Sequence, residues 1–218
     1  SGIAAAIGKD RAFREAVCMP DRFWLKEVEL CFERNPTVMV GGRTINALAD
    51  NPYSTASQMI VDYAYAYYND NPFKARFFAS NNMAVPAEAL RGIGCFNPLL
   101  RTAEDRDVCD RWLASGHGMV YEEKAVLYHA HNLSLPQFWK QHLSYGRGAL
   151  KFNRAHALRS PESSTFEAGF YARLPGYVLG GLSRVPRKQI PTLLSLMITW
   201  FVANTLGFML ETLRYLGF

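Results

Sequence analysis

The sequence predicts an α/β domain with a mixed sheet, followed by a C-terminal membrane helix. Three observations predict it. Helix-period and strand-period runs alternate between residues 18 and 153. Hydrophobic residues make up 49% of the 218 and charged residues 20%, a globular composition that excludes whole-chain disorder. No charged residue occurs from Gln189 to Leu210.

The elements follow in order. Pro20-Asp21 opens a helix in which Leu25, Val28 and Phe32 recur at helical spacing, and Asn35-Pro36 stops it. Thr37–Val40 reads as a short buried strand ended by Gly41-Gly42. After the loop 46–54, Ser57–Tyr68 is an aromatic-rich helix that ends before Asn71-Pro72. Arg76–Ala79 is a strand, Pro86–Leu90 a short helix and Gly92–Pro98 a glycine-bearing turn. Glu104–Ala114 is a helix stopped at Ser115-Gly116. Met119–Tyr121 and Ala125–His129 are two strands, and Gln137–Phe152 is a helix leading toward the membrane region. Internal repeats and low-complexity segments are absent from the sequence.

The uncharged run is long enough to cross a hydrocarbon core of about 30 Å as a helix over residues 189–213. A buried core helix is the other reading of such a run. Arg184, Arg187 and Lys188 precede it and only Arg214 follows, so the positive-inside bias places the preceding domain on the cytoplasmic side of the cell membrane. Tyr171–Leu182 is apolar but short and broken by Gly and Pro, and reads as an interfacial or re-entrant segment, not a second span, within the linker 154–188. Arg154, Arg159, Arg173 and Arg184 face anionic headgroups there, or form a solvated basic loop.

The formal charge of +5 is too modest, and its basic residues too scattered, to imply nucleic-acid binding. Cys18, Cys31, Cys95 and Cys109 show no C-x-x-C spacing, which argues for a reduced compartment and against a structural zinc site.

Four constellations carry possible chemistry. Glu104-Asp105-Arg106-Asp107 opens a helix after Thr102. Its carboxylates either answer the helix dipole or reach a cleft, where one takes a proton from a hydroxyl. His129-Ala130-His131 ends a strand, so alternation puts both rings on one face to meet a metal or phosphate, or to sit as satisfied edge histidines. Ser80-Asn81-Asn82 offers hydroxyl and amide groups to a polyol, or forms an ordinary Asn-rich turn. In Gln141–Gly148, Gln141 and Tyr145 share a helical face and Arg147 can meet a phosphate bidentately; the two glycines equally suit a helix break.

The order of these pieces is more specific than any one of them. The chain runs C-x-P-x-x-x-W-L (Cys18, Pro20, Trp24-Leu25), V-G-G-R (Gly41-Gly42-Arg43), Ser80-Asn81-Asn82, Gly94 with Phe96-Asn97, E-D-R-D, His129 with His131, Gln141 and Tyr145-Gly146-Arg147-Gly148, then the membrane helix. From about Cys18 to Phe152 it resembles the C-terminal, acceptor-side half of family 2 glycosyltransferases of the GT-A fold. The resemblance implies a partial GT-A-like mixed sheet with flanking helices over 18–153. It implies Asp105 as general base of an inverting transfer, with Glu104 positioning it, and Ser80, Asn81 and Asn82 near sugar and acceptor. His129, Gln141 and Arg147 fall near the donor phosphates or metal. The implied cofactor is a divalent cation, Mg or Mn. The implied partners are a nucleotide-sugar donor, a glycan or lipid-linked acceptor, and the membrane.

The sequence departs from that pattern at its start. Where the family has D-x-D before the C-x-P, this chain has Glu15-Ala16-Val17, and Val17 cannot ligate a metal. Residues 1–17 are atypical, show no strand of the required length, and are too few for a nucleotide-binding α/β half of about a hundred residues. The expectation is a chain lacking that half, inactive alone, with an open sheet edge available to a partner chain. The alternative function is a non-catalytic, membrane-anchored binding or assembly module. A hydrolase using Asp105, Asp107 and His129 lacks a second ligand cluster.

Overall fold

A computed structural model describes residues 10–13, 17–160, 168–183 and 185–217. Most of the 1–17 segment, with Glu15-Ala16 of the expected D-x-D position, and Arg184 lie outside the described residues. The fold is mixed α/β and divides into two compact units whose segments interleave in sequence.

The first unit (Ser1–Ala47, Tyr68–Asn97 and Asp105–Ala130) contains the sheet. Its strands are β1 (Asp10–Phe13), β2 (Cys18–Pro20), β3 (Met39–Asn46), β4 (Met83–Pro86) and β5 (Met119–His129), in the order β1-β4-β3-β5-β2. Only β3 and β5 are parallel; the other pairs are antiparallel. Met39–Gly42 of β3 are buried on both faces, so these residues alternate between two apolar environments. Val40 packs with Trp24 and Val28 of α1 (Trp24–Arg34). Its neighbour Met39 meets α4 (Glu104–Ala114), with Sδ 3.9 Å from Cys109 Sγ. Burial pushes the Cys109 thiol well up and also raises Cys31, so both are inert apolar fillers. All four cysteines are free.

Several sequence expectations change here. Gly41-Gly42 does not end the strand; β3 runs through to Asn46. The Phe78 ring and the Asn82 amide lie where Cβ atoms at Gly41 and Gly42 would stand, so the glycines serve close approach rather than termination. Met119–Tyr121 and Ala125–His129 are one strand, interrupted by a bulge opposite Gly42/Arg43. Residues 76–79 are not a strand: the Asn69 side chain bonds Arg76 N, Phe77 N and Phe77 O in place of a ladder. The short strands β1, β2 and β4 carry no readable alternation, and β1, four residues long, lies in the N-terminal segment. The short helix near residue 88 is α3 (Ala87–Gly92).

The second unit (Leu48–Tyr67, Pro98–Glu104 and His131–Phe218) is helical. It holds α2 (Pro52–Tyr68) up to Tyr67, then α5 (Leu135–Arg159), α6 (Ala168–Leu182) and α7 (Ile190–Leu216). Asn51 caps α2, accepting from Tyr53 N and Ser54 N at 2.9 and 3.0 Å, with Pro52 following. This N-cap and N1 pair starts the helix five residues before Ser57. Ser134 and Gln137 form a capping box at α5. Gly146 and Gly148 do not break α5. A Cβ on Gly146 would lie 2.0 Å from Asn204 O, and one on Gly148 2.2 Å from Thr102 Oγ1. The glycines therefore let α7 and the loop 98–103 reach the α5 backbone. Tyr171–Leu182 belongs to a regular helix, α6, despite Pro175. Its Val178 and Leu182 join Phe138, Leu193, Leu196 and Trp200 in the unit's core. Among the described residues, α7 is the one helix long and apolar enough to cross a membrane.

Candidate active site

A 3-10 turn, Ser80–Asn82, passes directly into β4. Asn82 is 1% exposed. Its Oδ1 accepts from Trp24 Nε1 at 2.8 Å, and its Nδ2 donates to Arg43 O and Ala125 O, both at 3.1 Å. Those two carbonyls flank the bulge, where backbone groups leave the ladder, so the amide closes it. Asn81 is buried, with Oδ1 3.5 Å from the Thr44 hydroxyl, while Ser80 is half-buried. Sequence reasoning treated the three as one polar patch; the fold commits Asn82 to the sheet.

The E-D-R-D motif divides in the same way. Glu104 begins α4 and falls in the second unit. Asp105 is half-buried, and its Oδ1 accepts from Arg106 N at 2.8 Å. The Phe78 amide donates to Cys109 Sγ at 3.4 Å. This ties α4, one turn beyond Asp105, to the segment that leads into Ser80. Asp107 is 1% exposed and accepts from Arg111 Nε at 2.9 Å. Arg111 also donates to Ile93 O and Cys95 O, holding a turn in which Cys95 has a φ of 58°. A buried carboxylate so paired is a structural clasp. Its i,i+4 spacing was legible in the sequence. Arg76 and Arg106 both lie over the Tyr68 ring, at 5.3 and 5.9 Å from its centroid.

His129 ends β5 opposite Asn46 and Cys18, and its carbonyl accepts from Ala47 N at 2.9 Å. The strand stops there, so His131 does not share an alternating face with it; its carbonyl accepts from Ser54 Oγ in the second unit. Val17 O accepts from Ala130 N at 3.0 Å, which puts the expected cation-ligand position beside the end of β5. A divalent cation needs several oxygen, nitrogen or thiolate donors. Val17 offers an aliphatic side chain, and among the described residues no three His, Cys, Asp or Glu side chains are grouped to hold an ion. Among the described residues, the donor set does not fit the expected metal.

In the second unit, Gln141 is half-buried on α5, and Tyr145 and Arg147 are exposed. His142 is a residue the sequence did not single out. It is 2% exposed, packed edge-on to Phe138 at 4.3 Å, and neither ring nitrogen has a hydrogen-bond partner. Burial, and then the charge of His131, lower its pKa to about 4.

No family model matches the chain, and no curated protein matches its sequence. Among solved structures it is similar to the mannosyltransferase PcManGT from Pyrobaculum calidifontis, solved in complex with GDP-Man and Mn2+. The TM-score is 0.56 at 13% identity, over 99% of this chain and 64% of that one. The chain therefore shares a glycosyltransferase fold and spans less than two thirds of that protein's length.

Proposed function

We propose that this chain is the acceptor-side part of a membrane-associated, family 2-like glycosyltransferase of GT-A type, which moves a sugar from a nucleotide-sugar donor to a glycan or lipid-linked acceptor. The observation that carries the reading is Asp105, a half-buried carboxylate at a loop-to-helix junction in a fold shared with a mannosyltransferase that binds GDP-Man. Asp105 takes the proton of the acceptor hydroxyl as that oxygen attacks the anomeric carbon. The bond from anomeric carbon to diphosphate oxygen breaks with inversion, and the nucleoside diphosphate leaves with the electron pair. Glu104 orients the acceptor or Asp105. Ser80 and Asn81 face the sugar, and Asn82 holds their turn through its bonds to Trp24, Arg43 and Ala125. In the first unit His129 serves the diphosphate; Gln141 and Arg147, on α5 of the second unit, are separate candidates for phosphate contact, since a guanidinium's planar fork matches two phosphate oxygens. The transferase-like part is residues 18–153, joined by 154–188 to the membrane-associated helix, with the site on the cytoplasmic side.

The test is sugar transfer from a panel of labelled nucleotide sugars to membrane acceptors. Asp105→Asn lowers turnover by about 10²–10⁴-fold with the melting curve unchanged. A second reading, a non-catalytic binding or assembly module, is favoured by Val17 and by the lack of a cation-ligand group among the described residues. It predicts no nucleoside-diphosphate binding and indifference to Asp105→Asn.

A further inference from the structure

The apolar helix α7 has two different long faces. Leu193, Leu196, Trp200, Ala203, Gly207 and Glu211 recur at helical spacing and are buried within the second unit. Ile198, Phe201, Met209, Leu213 and Leu216 lie on the outer side and are exposed, Ile198 and Leu216 by 67%.

The buried face lies against α5, and the two helices run parallel. Gly146 meets the Asn204 backbone, and Gly207 meets the backbone of Leu143 and Arg147. Further along both helices, Lys151 Nζ is 3.4 Å from Glu211 Oε1 and the Arg154 guanidinium stands 4.1 Å over the Tyr215 ring. Whatever depth α7 reaches in a bilayer, α5 therefore reaches beside it. Yet α5 carries Lys140, Arg147 and Arg154 exposed to its surroundings. A crossing α7 would take those charges, none of them set against a carboxylate in the contacts just described, into hydrocarbon, where buried charge is expensive. An α7 lying in the plane of the membrane keeps them in water or among headgroups, and puts only its outer apolar face into the acyl chains. Exposed Arg187 and Lys188 precede α7 and exposed Arg214 is in its last turn, so both ends carry positive charge to the headgroup level.

We infer that α7 seats this protein in a single leaflet of an anionic membrane, with the Ile198–Phe201–Met209–Leu213 face in lipid, and does not cross the bilayer. The inference rests on the membrane association proposed above and is independent of the transfer chemistry.

The experiment uses the full chain with different epitope tags at its two ends, bound to vesicles of phosphatidylcholine with phosphatidylglycerol and made in inverted membrane vesicles. The chain floats with the anionic vesicles, less so with phosphatidylcholine alone, and added protease removes both tags from inverted vesicles. Ile198→Asp with Phe201→Asp lowers flotation by about tenfold. Leu158→Asp, on α5 and 86% exposed, leaves it unchanged. Protection of one tag means that α7 crosses, which overturns the inference and leaves membrane association standing. Failure to float, with a dimer or a bound protein on this face instead, overturns both. Neither result alters the sugar-transfer test, which is read separately.

Discussion

Trp24 Nε1 donates to Asn82 Oδ1 at 2.8 Å, a buried bond between residues 58 apart in sequence. It joins α1 to the turn holding the proposed sugar-contacting residues. The same amide closes the bulge at Gly42/Arg43 through Arg43 O and Ala125 O. Asn82→Ala leaves one buried donor and two carbonyls without this partner, at about 3 kcal/mol or more. Denaturant midpoints followed by far-ultraviolet circular dichroism measure it. A loss under about 1 kcal/mol would remove Asn82 from this role.

The two aspartates of the E-D-R-D motif are expected to fail differently. Asp105→Asn removes transfer and keeps stability. Asp107→Asn weakens a buried pair with Arg111 and loosens the turn at Ile93 and Cys95, at about 2–3 kcal/mol. Thermal melts and activity assays on both variants separate the roles. Equal melting losses would contradict the division.

The glycines of α5 and α6 make a paired test. Gly146→Ala places a Cβ 2.0 Å from Asn204 O and forces α5 and α7 apart, at about 1–3 kcal/mol. Gly180→Ala in α6 meets nothing within 4 Å and gains about 0.5–1 kcal/mol from helix propensity. Opposite signs in the shift of melting temperature are the expected result.

His142 predicts an acid-sensitive fold. Its folded pKa of about 4 lies below the ordinary 6.5. Between those values the unfolded chain takes up a proton that the folded chain refuses. Stability is therefore whole above pH 6.5 and falls by about 3 kcal/mol as pH drops to about 4, where the loss levels off. His142→Leu removes this titration together with two unpartnered buried nitrogens. Denaturation midpoints between pH 7 and 4 should be flatter in the variant. An unchanged slope would assign the acid limb to other groups.

What the sequence read correctly was local. The 3.6-residue period and the stop at Ser115-Gly116 placed Glu104–Ala114, matching α4 residue for residue. The uncharged run placed α7, and the ordered motifs pointed to a glycosyltransferase fold. Helix starts were misread where the signal was a cap, as at Asn51-Pro52, rather than an apolar period. Strands of three or four residues, such as Cys18–Pro20, are too short to show alternation.

The sequence by itself determined the helices with a clear apolar period, which helix is apolar enough for lipid, and where the acidic motif meets a helix start. Those properties depend on neighbours within a few residues. Only the tertiary structure decided that Gly41 and Gly42 continue a strand, that Asn82 and Asp107 are structural while Asp105 remains half-buried, and that α7 lies along a charged helix. Each of these depends on an atom brought close by folding. Phe78 fills the space at Gly41, Ala125 O meets Asn82 from 43 residues away, and Leu143 O packs on Gly207. A one-dimensional period cannot encode such contacts, because they form only when two distant surfaces reach van der Waals distance.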